Sequence, residues 1–431
     1  MQPRRSFRLV CGPECIPLVE DLLDAEGYVF SPEEFSPFCR RLEHEPRPLG
    51  TSLAAFFGYI YIQDRSSMLP PLALAPAAGE CVLDMCASPG GKSGFLAQLT
   101  GPSGFVLANE PARARLAALQ GNLHAANLLH TATSAYPGQN MPLPSQSCDS
   151  ILLDVPCSGW GTAQKHPEVF KLWSEGKTGR LTMLQRRLLA AAAALLAPGG
   201  RLVYSTCTTN ERENEDQLRF AESGLGLERE ILTPFPGFAF EERSGGAGAL
   251  RVNGDKSEAQ GFFLARLRKT VTHTACAAGS ALRDVNSLTK SFLKSSRVEV
   301  SGKALASAAL EGDCCDPSRL PPGQAVQYGE RVRFIASKSA AFLPSDFVRQ
   351  GMLLGRMTAG RFRLAPRLRS LLPRPADKGK TLVLDDVRDV ADLLCGQSRQ
   401  TGLSGHEAGL WWRDLPLCLA RLKRGRASAA F

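Results

Sequence analysis

Ile151-Leu-Leu-Asp-Val-Pro-Cys-Ser-Gly159 is an apolar run that ends on a cysteine among small polar residues. Leu202-Val-Tyr-Ser-Thr-Cys-Thr208 repeats the pattern. Buried parallel strands read this way, and they carry whatever follows them to the carboxyl edge of the sheet, where open α/β sheets bind ligands. Upstream, Val82-Leu-Asp-Met-Cys-Ala-Ser-Pro-Gly-Gly-Lys92 reads as a third strand end of the same sheet, turning into a helix. One glycine loop and two strand-end cysteines therefore meet along one edge.

Outward from these runs, the pattern predicts strands over 81–85, 104–109, 128–133, 150–155 and 202–205. Helices are expected over 92–99, 113–126, 181–196 and 210–220, the third stopped by Pro198-Gly199-Gly200. Strands alternating with helices imply right-handed βαβ units, so the fold class is α/β, a doubly wound Rossmann-like parallel sheet. Residues 261–268 read as a late edge strand, and 58–70 as a short strand turning into a helix. The segments are an opening over 1–55, the α/β domain over 56–269, a linker or small subdomain over 270–326, and a basic β-rich module over 327–431. That last module has short strands over 331–336, 381–384 and 417–422. In the opening, Arg4, Arg5 and Arg8 are candidate phosphate contacts or simply a solvated terminus.

The 431 residues are too many for one ordinary domain. No apolar run approaches the ~20 residues of a membrane span, and the start lacks the apolar core of a secretory signal, so a cytoplasmic protein with no membrane partner is expected. Thirteen cysteines at irregular spacing in a long chain read as reduced thiols, with no pattern for a metal site. The net charge of +9 points to an anionic partner. It concentrates over 327–431, where 19 Lys and Arg stand against about half as many Asp and Glu. Such a module suits a nucleic-acid reader, with a basic dimerisation or solubility domain as the competing reading.

The loop from Cys86 to Lys92 (Cys86, Ala87, Ser88, Pro89, Gly90, Gly91, Lys92) has small residues that admit a ligand to the backbone and a helix start that offers free N–H groups. It has neither the dinucleotide fingerprint nor the spacing of a phosphate loop. Glu110 ends the next strand, where a carboxylate suits ribose hydroxyls; the alternative is a solvent-facing helix cap. Together they point to S-adenosyl-L-methionine. Cys81, Cys148 and Cys395 read as core thiols. Cys157 and Cys207 lie just past strand ends instead, before helix starts that favour a thiolate. Two thiols beside a methyl donor suit methylation of a pyrimidine at C5: a thiolate adds to C6, C5 becomes nucleophilic, and a base then removes the C5 proton. Asp154 is placed to hydrogen-bond the N3/N4 edge of a cytosine. The residues alone do not decide which cysteine attacks.

Asp84–Lys92, Asp154-Val-Pro-Cys-Ser-Gly159, Tyr204-Ser-Thr-Cys-Thr208 and Asn210-Glu-Arg-Glu-Asn214 resemble the Sun-type RNA (cytosine-5)-methyltransferases. Tyr61–Pro70 and Gly261–Arg268 narrow the resemblance to the RsmF type, which acts on small-subunit ribosomal RNA, and Leu415–Arg424 resembles the last strand of that family's PUA-like RNA-binding domain. The resemblance implies Cys207 as nucleophile, Cys157 as the residue that assists release, and Cys86 to Lys92, Glu110 and Asp154 along the S-adenosyl-L-methionine site. It implies ribosomal RNA as partner, no DNA, and a monomer. Two departures stand out: Ser134 where the family has an aspartate at the adenine end, and Val252-Asn253-Gly254 where it has Pro-His. The same chemistry on transfer RNA, and a non-catalytic ribosome-assembly factor, remain as competing functions.

Overall fold

Four antiparallel strands open the chain: β1 (Ser6–Leu9), β2 (Val29–Glu33), β3 (Ser36–His44) and β4 (Ile60–Ile62), in the order β2-β3-β1-β4. Helix α1 (Ile16–Ala25) buries Val19, Leu22 and Leu23 with Phe7 and Leu9 of this sheet. The computed structural model describes residues 5–162, 174–241, 248–270, 302–310, 314–375 and 381–430.

The main sheet is built on β5 (Cys81–Asp84), β6 (Phe105–Asn109), β7 (Thr131–Ser134), β8 (Cys148–Asp154) and β9 (Leu196–Thr206). They run parallel in the order β9-β8-β5-β6-β7. Val82, Leu83, Val106, Leu107, Ile151, Leu152, Leu202 and Val203 are wholly buried. That absence of alternation is what a sheet covered on both faces requires. The helices α2 (Gly91–Thr100), α3 (Arg113–Ala125), α4 (Glu175–Leu195) and α5 (Glu215–Gly224) follow β5, β6, β8 and β9. The strand order reverses between β5 and β8, so the crevice opens where the loops after these two strands diverge.

The expected edge strand is interior. β12 (Phe262–Lys269) pairs antiparallel with β9 on one side and with β10 (Leu227–Glu230) and β11 (Ala249–Val252) on the other. Phe262, Phe263, Leu264 and Leu267 are buried accordingly. The sheet is thus mixed, parallel only at its centre. A fully apolar run looks alike in either direction, which is why direction was not legible.

Beyond β7 the sheet continues. β16 (Gln350–Thr358) sets Gln350 opposite Thr133 and Gly351 opposite Ala132, antiparallel to β7. β13 (Lys303–Leu305), β14 (Gly323–Tyr328), β15 (Arg331–Ala336) and β17 (Arg361–Leu364) complete this extension. Most of the expected linker, 271–301, lies outside the described residues. A separate curled sheet of β18 (Thr381–Leu384), β19 (Arg399–Gln400), β20 (Glu407–Trp412), β21 (Leu415–Lys423) and β22 (Arg426–Ala429) ends the chain. Its Leu410, Trp412 and Leu417 share one core with Phe7, Leu9 and Leu22, so the last sheet closes on the first.

Arg369 ties these parts together. Its guanidinium donates to the carbonyls of Phe57, Gly58, Ala125 and Ala126 and stands 4.1 Å over the Tyr59 ring. Two other expectations fail. Arg8 is 1% exposed, donates to the Gly91 carbonyl and to Gln98, and lies over the Phe95 ring, so it cannot meet phosphate. Cys395, expected in the core, is exposed at the end of its helix, whereas Cys148 is buried and Cys81 partly so.

Candidate active site

Asp154 and Ser205 are register partners on β8 and β9, and both cysteine loops leave the sheet just past them. The loops converge. Cys157 Sγ and Cys207 Sγ are 3.2 Å apart, and both thiols are free. Gly161 locks the second turn: its N–H donates to the Cys207 carbonyl at 2.9 Å, and its own carbonyl accepts from Gly261 N. A Cβ at 161 would sit 2.1 Å from the Gly261 carbonyl, so only glycine fits.

Below the loops lies a buried brace. Glu213 accepts from Ser158 N at 3.0 Å, from Gln185 Nε2 at 3.0 Å and from Asn210 Nδ2 at 3.1 Å. Gln185 also donates to the Pro156 carbonyl, and Ser158 Oγ hydrogen-bonds Thr208 Oγ1 at 2.7 Å. Pro156 and Ser158 around Cys157, and Thr208 after Cys207, are thereby tied to one carboxylate. Glu213 and Gln185 were not foreseen as site residues. The signal was present in Asn210-x-x-Glu213, a helix-start pattern that reads as local capping until the fold brings the Cys157 loop to it.

The electrostatics separate the two thiols. Cys207 is held below the ordinary thiol range by the hydrogen bond from Cys157; burial and Asp154 oppose this, and the Lys92 ammonium reinforces it. Cys157 is pushed well above that range by its bond to Cys207 and by burial. Negative charge therefore settles on Cys207 and the proton on Cys157. Burial pulls the Lys92 ammonium down, but Asp154 beside it more than reverses this, so Lys92 stays charged. Its Nζ donates to Asp154 Oδ2 at 2.8 Å, and Ser205 Oγ donates to Asp154 Oδ1 at 2.7 Å.

A cavity of about 300 Å³ opens beside this cluster, lined on one side by Asp84, Cys86, Ala87, Ser88, Pro89, Gly91, Lys92 and Asp154. The other side is Tyr61, Ile62, Gln63 and Ser67, which were not foreseen as lining. Polar residues after the apolar run at 58–62 were the available clue. A Cβ on Gly91 would meet Gln63 Oε1 at 2.4 Å and the Tyr61 ring at 2.7 Å, so any larger residue there pushes those side chains into the cavity. Burial raises Asp84 to about 7, with Ser93 Oγ donating to one oxygen at 2.7 Å. Burial also pushes Cys86 far up, so it is no thiolate.

Glu110 is buried, contrary to a solvent-facing cap. Its carboxylate accepts from Ala112 N at 2.9 Å and pairs with Arg115 at 3.3 Å, and Arg115 in turn donates to the Ser88 carbonyl. Neither Glu110 nor Gly90 lines the cavity. Ser134 is buried as well, its hydroxyl donating to Asn109 Oδ1 at 2.9 Å. Among the described residues no group of His, Cys, Asp and Glu forms a metal site, and no helix is long and apolar enough to cross a membrane.

Residues 71–268 match the family described as 16S rRNA methyltransferase RsmB/F. A crystallised methyltransferase homolog from Pyrococcus horikoshii is 31% identical, with 62% of this chain and 87% of that one aligned at a TM-score of 0.54. The chain belongs to the RsmB/F family. Ribosomal RNA small subunit methyltransferase F of Cronobacter sakazakii is 36% identical over 261 residues, 57% of this chain. The chain spans about half the length of the curated relatives it matches, 53% of that protein. The NSun6 protein of Pyrococcus horikoshii, crystallised with SFG, shares the fold at a TM-score of 0.55 and 21% identity, over 63% of this chain and 91% of its own. The match over the α/β core agrees with the sheet order and crevice described above.

Proposed function

We propose that this RsmB/F-family chain transfers a methyl group from S-adenosyl-L-methionine to C5 of a cytidine in RNA, with small-subunit ribosomal RNA as substrate. The observation that carries the reading is the pair of free thiols 3.2 Å apart at the carboxyl edge of the sheet. The cavity fits the cofactor. Asp84 Oδ1 and Gln63 Nε2 are buried without a partner among the described residues and supply one acceptor and one donor. Ala87, Ser88 and Gly91 in the cavity lining are small enough to let a ligand reach the backbone. When bound there, S-adenosyl-L-methionine supplies an electrophilic methyl group.

The chain's own residues do the rest. Cys207 thiolate adds to C6 of the cytosine, forming a carbon–sulfur bond and moving electron density to C5. Asp154, held by Lys92 and Ser205, accepts from the exocyclic amino group and so holds the N3/N4 edge of the base in place. After C5 is methylated its proton is lost to a base, the carbon–sulfur bond breaks, and Cys207 leaves as thiolate. Cys157, within proton-transfer distance of Cys207, assists that release. The β-rich segment after 327 is read as the RNA-binding part, with the last sheet PUA-like, and the protein as a cytoplasmic monomer.

The test uses purified protein, labelled S-adenosyl-L-methionine, and small-subunit ribosomal RNA, followed by nucleoside analysis. Label in 5-methylcytidine is expected. Label in transfer RNA only, or in another nucleoside, contradicts the substrate or the chemistry.

A further inference from the structure

Arg331, Arg356 and Arg363 stand directly opposite one another on β15, β16 and β17. Directly opposed residues of antiparallel strands share a face, so the three form one row across the sheet, ~10 Å long. Tyr328 on β14, opposite Arg331, extends it. All three arginines are exposed, and none forms an ion pair among the described residues. Val332, Phe334, Leu354 and Leu364 point the other way, into the core. From 323 to 364 there are seven Lys and Arg against two acids, Glu330 and Asp346. Like charges directly opposed on a sheet cost stability. A row of three is explained by an anion that neutralises it.

The row runs into a cleft lined by Tyr328, Arg333, Arg349, Gln350 and Gly351. There Arg349 Nε is buried without a hydrogen-bond partner, whereas Arg333 is anchored on the Gly351 carbonyl at 2.9 Å. The cleft lies at the end of β16 that pairs with β7, on the carboxyl edge where the catalytic loops emerge. Arg356 is six residues further along β16, about 20 Å from that edge. An extended polyanion fits this spread of charge better than a small ligand does.

We propose that the outer face of β14–β17, with the Arg349 cleft, binds the phosphodiester backbone of RNA at a distance from the base that reaches the cysteines. This rests on the proposal that the substrate is RNA. The row positions the substrate; it has no part in the chemistry.

The test is binding of the full chain to a small-subunit ribosomal RNA fragment, by fluorescence anisotropy over a range of salt. The Arg331→Gln/Arg356→Gln/Arg363→Gln protein is expected to lose roughly two units of the log–log salt slope, and affinity at least about tenfold at ~0.15 M salt. Its kcat at saturating RNA stays at the wild-type value, the triple Arg→Lys protein keeps most of the slope, and melting is not lowered. Unchanged slope and affinity in the Gln protein overturn the proposal, as does wild-type preference for polyglutamate over RNA. If wild type binds RNA through the row yet methylates nothing, the row stands and the catalytic reading falls. If wild type binds no RNA, both fall.

Discussion

Cys157 Sγ lies 3.2 Å from Cys207 Sγ, a hydrogen-bond separation between two free thiols held by loops from adjacent strands. Cys207 is held below the ordinary thiol range across this contact and Cys157 above it, which supports the attacking role proposed for Cys207. The Lys92 ammonium reinforces it by favouring charge on Cys207.

Lys92→Met removes that cation. The thiolate of Cys207 then forms only at higher pH, so the acid limb of the pH–rate profile moves upward. Peptide-resolved alkylation of Cys207 by iodoacetamide should move in the same direction, independently of cofactor. An unmoved alkylation profile would show that Lys92 does not set the charge on Cys207.

Glu213→Ala unfastens the Ser158 amide, Gln185 and Asn210 together. Displacing reacting groups by about 1 Å costs on the order of 100-fold in rate. A fall of that order in kcat is expected, with S-adenosyl-L-methionine affinity by calorimetry within about twofold of wild type. Equal loss of cofactor binding would mean that Glu213 supports the whole edge of the sheet, not the cysteine loops alone.

Asp84 has a pH signature in stability. Its folded value of about 7 exceeds the ordinary 3.8 because burial disfavours the charge. Between about pH 4 and pH 7 the folded chain holds a proton that the unfolded chain has released, so stability falls as pH rises through that window. The full difference is on the order of 4 kcal/mol. Asp84→Asn keeps the Ser93 hydrogen bond and removes the titration. Without cofactor, its melting temperature relative to wild type should rise from about pH 4 to pH 7 and level off above that. A constant difference would refute the assignment.

Much of this site was legible in the sequence because its signals are local. The runs at 82–92, 151–159 and 202–208 specify strand, turn and cysteine within a few residues, and the structure places the glycine loop and both thiols at one edge. What was not legible depends on distant contacts. Glu213 looked like a cap until the Cys157 loop, more than 50 positions away, docked on it. Arg8 read as a phosphate contact or part of a solvated terminus because its short stretch of arginines carries no sign of the Phe95 ring that covers it. The direction of β12 and the joining of β16 to β7 are set by packing among elements far apart in sequence.

Arg369→Leu should expose how the parts depend on one another. It leaves the carbonyls of Phe57, Gly58, Ala125 and Ala126 without their buried donor. A loss of at least about 3 kcal/mol is expected from the denaturant midpoint, because charged hydrogen bonds are worth roughly 1.5–3 kcal/mol each. A loss below about 1 kcal/mol would show that water takes over these carbonyls.

The central claim is the division of labour between the thiols, and covalent trapping tests it most directly. Cys157→Ala and Cys207→Ala proteins are each incubated with S-adenosyl-L-methionine and small-subunit ribosomal RNA, then resolved on a denaturing gel. The account predicts a stable protein–RNA adduct with Cys157→Ala and none with Cys207→Ala. An adduct with Cys207→Ala and none with Cys157→Ala would contradict it and exchange the two roles.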